Sequence, residues 1–105
     1  MNISDTVDCL AALAQETRLG IFRLLVRSAP EGLPAGTIAR RLKLPGPTLS
    51  FHLNVLAAAG LLIARKNGRS IVYSANLDQI SRVTEFLFEN CCGGRGCGPT
   101  PRKGQ

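Results

Sequence analysis

The chain has 105 residues, 45% of them hydrophobic, and 13 Lys and Arg against seven Asp and Glu give a net charge of +6. This length allows one domain, and the absence of an apolar run of about 18 residues argues against a membrane-spanning helix. Acidic residues stand near the N-terminus, where a signal peptide would be basic, so we expect a cytoplasmic protein whose four cysteines are thiols or metal ligands rather than structural disulfides.

The charges are segregated along the chain. All seven acidic residues lie in two blocks, from Asp5 to Glu31 and from Asp78 to Glu89. The stretch 32–77 between them has no acidic residue, and its basic residues are Arg40, Arg41, Lys43, Arg65, Lys66 and Arg69. A basic segment between mixed-charge ends is typical of a protein that binds a polyanion, although an ordinary solvated basic surface has the same pattern.

The first 44 residues of the chain predict three helices. A first helix is predicted over residues 3–14, capped by Ser4 or Asp5, from the apolar spacing of Ile3, Val7, Leu10 and Ala14. A second is predicted over residues 16–28, with Arg18 among the side chains in solvent and with a buried face made of Leu19, Phe22, Leu25 and Val26. The sequence APEGLP ends it, and AGTIARRLKL predicts a short third helix.

A fourth, longer helix is predicted in TLSFHLNVLAAAG, after a turn that PGP forces. Thr48 is available to cap its start, and Gly60 suits the position just after its end. The spacing places an apolar stripe inward, made of Leu49, Leu53 and Leu56. The opposite face then exposes Thr48, Ser50, Phe51 and Asn54, with His52 at the border.

The next segment predicts a β-hairpin. LLIARK and RSIVYSA flank Asn67-Gly68, which favours a type I′ turn because that turn needs positive φ at both central residues. Its tip carries three cations: Arg65, Lys66 and Arg69. A last helix is predicted over residues 77–90, and we expect the Gly- and Pro-rich tail 91–105 to be disordered unless a ligand holds it.

Two helices joined by a short turn and followed by a basic hairpin predict a winged helix-turn-helix, mainly α with a β-hairpin wing, over residues 1–90. A helix fits the major groove of double-stranded DNA, and cations at the hairpin tip reach phosphates. For His52 a half-buried packing role is the alternative to a DNA contact, and Phe51 suits a thymine methyl. The residues expected at DNA are Thr48, Ser50, Phe51, His52, Asn54, Arg65, Lys66 and Arg69.

The sequence LSFHLNVLAAAGLLIARKNGRSIVYSA resembles the recognition helix and wing of the ArsR/SmtB transcriptional repressors, and LAQETRLGIFRLL resembles their second helix. The resemblance covers roughly residues 5–90. It implies a homodimer, formed through the first and last helices, that releases operator DNA when a metal or metalloid binds. Two departures stand out. Phe51 occupies a position where many members have a basic or small polar residue, and LPAGTIA lacks the cysteines that arsenic sensors carry before the turn.

The tail sequence ENCCGGRGCG concentrates three cysteines in seven residues: Cys91, Cys92 and Cys97. Thiolates are the preferred ligands of soft trivalent arsenic, which binds three sulfurs in a pyramid. The glycines between the cysteines allow the chain to fold back, and Arg95 favours the thiolate forms. We therefore expect arsenite as the inducer of a repressor, with antimonite or an organoarsenical as alternatives and without an organic cofactor.

Other uses of these cysteines remain open. Zinc prefers four ligands and would need Cys9, His52 or Glu89 as well, and a redox sensor would pair Cys97 with the adjacent cysteines. A thiol reductase belongs to a different class, and no predicted strand leads into the cysteines as such an enzyme requires, so we expect no enzymatic activity. Cys9 is interpreted as a small core residue.

Overall fold

The computed structural model describes residues 1–94, apart from the side chain of Cys92. These residues form a mainly helical fold with a β-hairpin, as predicted. Its elements are α1 (Ile3–Leu13), α2 (Glu16–Arg27), β1 (Leu33–Pro34), α3 (Ala35–Leu42), α4 (Gly46–Ala58), β2 (Leu62–Asn67), β3 (Ser70–Ala75), α5 (Leu77–Phe88) and a 3₁₀ helix (Cys91–Gly94).

Helices α1 and α2 begin where predicted, but the cap of α1 and the start of α4 differ from the prediction. Asn2 caps α1, since its side-chain oxygen accepts from the backbone N–H of Asp5 at 2.7 Å. Helix α4 begins at Gly46, and Pro45 precedes it without a side-chain cap, so the capping role predicted for Thr48 is wrong. Pro47 explains the early start, because its fixed φ and missing N–H are tolerated in the first turn.

The end of α4 is set by Gly60, as predicted. Gly60 has a φ of 79°, in the left-handed region that favours glycine. Its N–H donates to the carbonyl of Ala57 at 2.9 Å, and the N–H of Leu61 donates to that of Leu56 at 3.0 Å. This pair of bonds is a Schellman motif, which satisfies the last carbonyls of the helix and turns the chain into β2.

One core lies between α1, α2, α3 and α4 and the base of the hairpin. The predicted stripe of α4 is buried in it, together with Ile21, Leu25, Ile38 and Leu61. The predicted face of α2 is partly wrong, because Leu19 and Val26 are 44% and 39% exposed while Ile21 and Leu24 are buried. The helix packs on α1, α4 and β3, so its buried arc is displaced from the stripe that the spacing suggested.

The hairpin forms with a register one residue away from the predicted one. Asn67 pairs with Ser70, which leaves Gly68 and Arg69 as the two loop residues. Gly68 has a φ of 64°, whereas Arg69 does not have a positive φ. A positive φ at the first loop residue alone is typical of a type II′ turn, so the predicted type I′ turn at Asn67-Gly68 is wrong. A third strand that was not predicted, β1, pairs antiparallel with β3.

Helix α5 ends at Phe88, two residues before the predicted boundary, and the chain then forms the short 3₁₀ helix. The predicted disorder of the tail 91–105 stays a prediction, and residues 95–105 lie outside the described residues. Within residues 1–94, no helix is long and apolar enough to cross a membrane. Apolar side chains of α1 and α5 stay exposed in the single chain, among them Ile3, Val7, Leu10, Leu87 and Phe88.

Candidate nucleic-acid interface

The outward face of α4 is polar with one aromatic residue. Phe51 is 60% exposed, and Thr48, Ser50 and Asn54 are exposed around it. The side chains of these three polar residues make no hydrogen bond within residues 1–94, so their donors and acceptors are available to a ligand. The predicted exposure of this face is confirmed, whereas its contact with DNA stays a prediction.

His52 is half-buried and holds α4 to α2. Its Nδ1 lies 3.2 Å from a guanidinium nitrogen of Arg18. Since a guanidinium only donates, Nδ1 is the acceptor in this contact. The ring also meets the ring of Phe51 edge-on, with centroids 5.3 Å apart. This geometry matches the packing role that was the alternative for His52, and a contact of Nε2 with DNA stays a prediction.

Arg18 joins three helices, although the sequence predicted it in solvent. Its Nε donates to the carbonyl of Ala12 near the end of α1 at 2.6 Å, while its other nitrogen reaches His52. The guanidinium therefore satisfies a carbonyl of one helix and orients a ring on another. No spacing pattern connects Arg18 to His52, which lies 34 residues later in the chain, so sequence reasoning had no signal for this contact.

The wing cations have different positions. Arg65 donates to the backbone carbonyl of Glu31 at 3.0 Å, which ties β2 to the loop after α2. Lys66 and Arg69 are exposed, and Arg69 lies in the turn itself. Arg69 also borders a groove of about 310 Å³ whose other walls include Ser50 of α4 and Gly36 at the start of α3. The wing tip and α4 thus border one concave surface.

Formal charges favour an anionic partner at this surface. Arg40, Arg41 and Lys43 are exposed on α3 and just after it, and the stretch from residue 32 to residue 77 contains no acidic residue. The acidic side chains belong to α1, α2, the loop before β1, α5 and the residue after α5. A cationic surface on one side of a domain raises the local concentration of a polyanion and speeds its binding.

The far end of α4 is held by α5 and α1. Gln79 donates to the carbonyl of Ala59 at 3.0 Å and lies 3.4 Å from the sulfur of Cys9, and Asn76 donates to the carbonyl of Gly60 at 2.9 Å. The thiol of Cys9 is 3.4 Å from the same Ala59 carbonyl and is fully buried. The interpretation of Cys9 as a core residue is confirmed, while the amide contacts of α5 were not predicted.

The structure brings only part of the predicted metalloid site into view. Cys91 is half-buried in the 3₁₀ helix, whereas the side chain of Cys92 and all of Cys97 lie outside the described residues. Among the described side chains, no three of His, Cys, Asp and Glu come together as metal ligands. A site made of Cys91, Cys92 and Cys97 stays a prediction.

A helix-turn-helix followed by a hairpin wing defines a winged-helix DNA-binding protein. The family described as a helix-turn-helix domain matches residues 13–64. An HTH-type transcriptional regulator of Methanocaldococcus jannaschii is 35% identical over 78 residues, which are 74% of this chain and 85% of the relative. The transcriptional activator HlyU of Vibrio cholerae is 31% identical over 87% of this chain and 82% of its own length.

Solved structures agree with these relatives. The ArsR-like transcriptional regulator from Rhodococcus sp. RHA1 has a TM-score of 0.71 and 32% identity, over 80% of this chain and 76% of that one. A winged helix-turn-helix domain from Mycobacterium bovis, described as homodimeric, has a TM-score of 0.68 and 26% identity, over 82% and 84% of the two chains. The chain belongs to the ArsR-like family of winged helix-turn-helix transcriptional regulators.

Proposed function

We propose that this chain is a homodimeric repressor that binds operator DNA and releases it when trivalent arsenic binds Cys91, Cys92 and Cys97. The observation that carries the DNA-binding part is the concave surface shared by α4 and the wing tip, where the side chain of Ser50 and the exposed Arg69 line the same groove. The observation that carries the sensing part is the position of the cysteines, which begin three residues after α5 ends at Phe88.

A dimer is supported by the unpartnered apolar side chains of α1 and α5. Ile3, Val7 and Leu10 follow one face of α1, and Leu87 and Phe88 end α5. A chain this small gains stability by burying such faces against a second copy, and the Mycobacterium bovis relative is described as homodimeric. Two recognition helices related by a twofold axis would then contact two half-sites of a pseudo-palindromic operator.

The chemistry of the cysteines supports arsenite, As(OH)₃, as the inducer. Each thiol replaces one hydroxide, so three As–S bonds form, three As–O bonds break, and three waters carry away the thiol protons. Soft thiolates favour this exchange, and glycines between the cysteines permit the backbone conformations by which Cys97 would join the adjacent pair. Antimonite has the same coordination preference, and a methylated arsenical needs only two thiolates.

The coupling to DNA would pass through α5. The cysteines follow this helix directly, and Gln79 connects it to the carbonyl end of α4. Ligation that orders the tail would shift α5 and, through it, the placement of the two recognition helices. Coupling energies between sites typically run ~1–3 kcal/mol, which corresponds to roughly 5–150-fold weaker DNA binding.

Gel shift of an operator-containing promoter fragment against a panel of metals and metalloids tests this proposal. Arsenite and antimonite should release the fragment, whereas zinc and a disulfide oxidant should not. Release by oxidant alone would point to a redox sensor of the same fold, and release by zinc to a tetrahedral metal site. Because HlyU is described as an activator, a promoter fusion in cells with and without the protein is needed to establish repression.

A further inference from the structure

We infer that this protein reads A·T base pairs at the centre of its operator half-site, with Phe51 against a thymine methyl and Asn54 on an adenine. This inference rests on the proposed DNA-binding function and specifies the DNA that it selects. Two observations carry it: the identity of the side chains on α4 that point directly away from the core, and the absence of charged residues from this helix.

The outermost line of α4 is fixed by its buried side. Leu49, Leu53 and Leu56 face the core. At 100° per residue, the direction opposite their mean is occupied by four exposed residues at spacings of four, three and four. They are Pro47, Phe51, Asn54 and Ala58. These side chains enter a groove first when the helix docks with its outer face toward DNA.

Helix α4 carries none of the side chains that chiefly recognise guanine or cytosine. Its sequence, GPTLSFHLNVLAA, contains no Lys, Arg, Asp or Glu. Guanine is read chiefly by a bidentate Arg or Lys, and the amino group of cytosine by an acidic side chain. The nearby cations instead lie on α3 and at the wing tip, where they suit phosphates and carry little base information.

Phe51 and Asn54 match the two partners of an A·T pair. The Phe51 ring is 60% exposed and meets the ring of His52 edge-on, and His52 is itself bonded to Arg18. An apolar ring in the major groove gains most from the C5-methyl of thymine. Asn54 makes no side-chain hydrogen bond within residues 1–94, so its amide can donate to N7 and accept from N6 of adenine.

Selection of bound duplexes from a random library, followed by chemically altered bases, tests the inference. Selection should enrich half-sites whose centre is A·T. Replacing the contacted thymine by uracil removes one methyl and should weaken binding about fourfold, which is the effect expected for one buried carbon group. Replacing the contacted adenine by 7-deazaadenine removes an acceptor and should weaken binding roughly fivefold or more.

Protein variants assign each effect to a side chain. Phe51→Ala should bind the thymine and uracil duplexes equally but should still bind the 7-deazaadenine duplex more weakly. Asn54→Ala should bind the adenine and 7-deazaadenine duplexes equally but should still bind the uracil duplex more weakly. Val26→Ala, which removes another exposed apolar side chain on α2, is the matched control and should keep both effects. Phe51 and Asn54 are exposed, so their replacement by alanine should not disturb the core. The altered duplexes also test the inference on the unmodified protein, without any substitution.

The outcomes separate this inference from the proposed function. Selection of half-sites with a G·C centre, or equal binding of thymine and uracil duplexes by the unmodified protein, would overturn the A·T readout while leaving operator binding intact. Failure to retain any duplex at low salt would overturn both.

Discussion

Gln79 on α5 donates a hydrogen bond to the carbonyl of Ala59, at 3.0 Å, and so joins the last helix to the end of α4. The last carbonyls of a helix have no partner within it, and here the thiol of Cys9 and the Gln79 amide both meet the same oxygen. Helices α1, α4 and α5 therefore converge on a single carbonyl. A movement of α5 would therefore change this contact at the end of α4, the proposed recognition helix.

Replacing Gln79 should destabilise the fold and weaken the response to inducer. Gln79→Ala leaves the Ala59 carbonyl with the weak thiol donor only, at a cost of about 1–2 kcal/mol. Gln79→Glu should cost more, because a carboxylate faces the negative end of α4. Urea unfolding measures both, with Thr84→Ala, which removes an exposed hydroxyl on the same helix, as the control. Equal stability of the three variants would show that the contact contributes nothing.

The Arg18–His52 contact should appear as a coupling energy. Arg18→Ala should cost about 1–3 kcal/mol of unfolding free energy, because it leaves Nδ1 of His52 and the Ala12 carbonyl without their donor. A double-mutant cycle with His52→Ala should give an interaction of about 0.5–1.5 kcal/mol. Arg23→Ala, on the exposed side of α2, should stay within about 0.5 kcal/mol of the unmodified protein. Additive effects of Arg18→Ala and His52→Ala would contradict the contact.

Replacing Arg69 and replacing Arg65 should have different effects on DNA binding and on the wing. Arg69→Ala removes an exposed charge in the turn and should weaken binding to all DNA sequences about equally, flattening the slope of log affinity against log salt by about one unit. Arg65→Ala breaks the bond to Glu31, so it should loosen the wing and raise its amide exchange as well. Binding isotherms at several salt concentrations decide this. If Arg69→Ala leaves the slope unchanged, Arg69 does not contact a phosphate.

The apolar faces of α1 and α5 should form the dimer with or without inducer. Val7→Glu or Leu87→Glu buries an unpaired carboxylate at that interface, so the dimer dissociation constant should rise at least about tenfold. Ile71→Glu, a similarly exposed apolar position on the wing, is the control and should leave the dimer intact. Sedimentation at micromolar concentration measures the three variants. A protein that is monomeric until metal binds would contradict the proposed mechanism.

Periodicity predicted the helices and the hairpin because each has a local signal. The α4 stripe of Leu49, Leu53 and Leu56 follows helical spacing, and Gly60 ends the helix for a backbone reason. The errors arose where several local conformations fit the sequence and tertiary packing determines which one forms. Leu19 and Val26 fit an apolar stripe, but they are not the residues that α2 buries against α1, α4 and β3. In the hairpin turn, Gly68 has a positive φ and Asn67 does not.

The candidate site was predictable only in part, for the same reason. The exposed face of α4 follows from its buried face, so Phe51 and Asn54 could be placed from sequence. The contacts that hold α4 to the neighbouring helices could not be predicted from sequence. Arg18 meets His52, and Gln79 meets Ala59, across 34 and 20 residues of chain, and neither pair has a sequence pattern. Such contacts depend on how helices cross, which composition and spacing do not encode.

Binding of arsenite by three thiolates is proposed to release the protein from DNA, and fluorescence anisotropy of an operator duplex against rising arsenite tests this most directly. Cys91→Ser, Cys92→Ser and Cys97→Ser should each bind the duplex normally and resist release, because two thiolates hold arsenite far less tightly than three. Cys97→Ser keeps the adjacent pair and should still respond to monomethylarsenite. Cys9→Ser should respond like the unmodified protein, since its sulfur is fully buried in the core. If Cys9→Ser abolishes release while Cys97→Ser preserves it, the site joins α1 to the tail and the three-cysteine assignment is wrong.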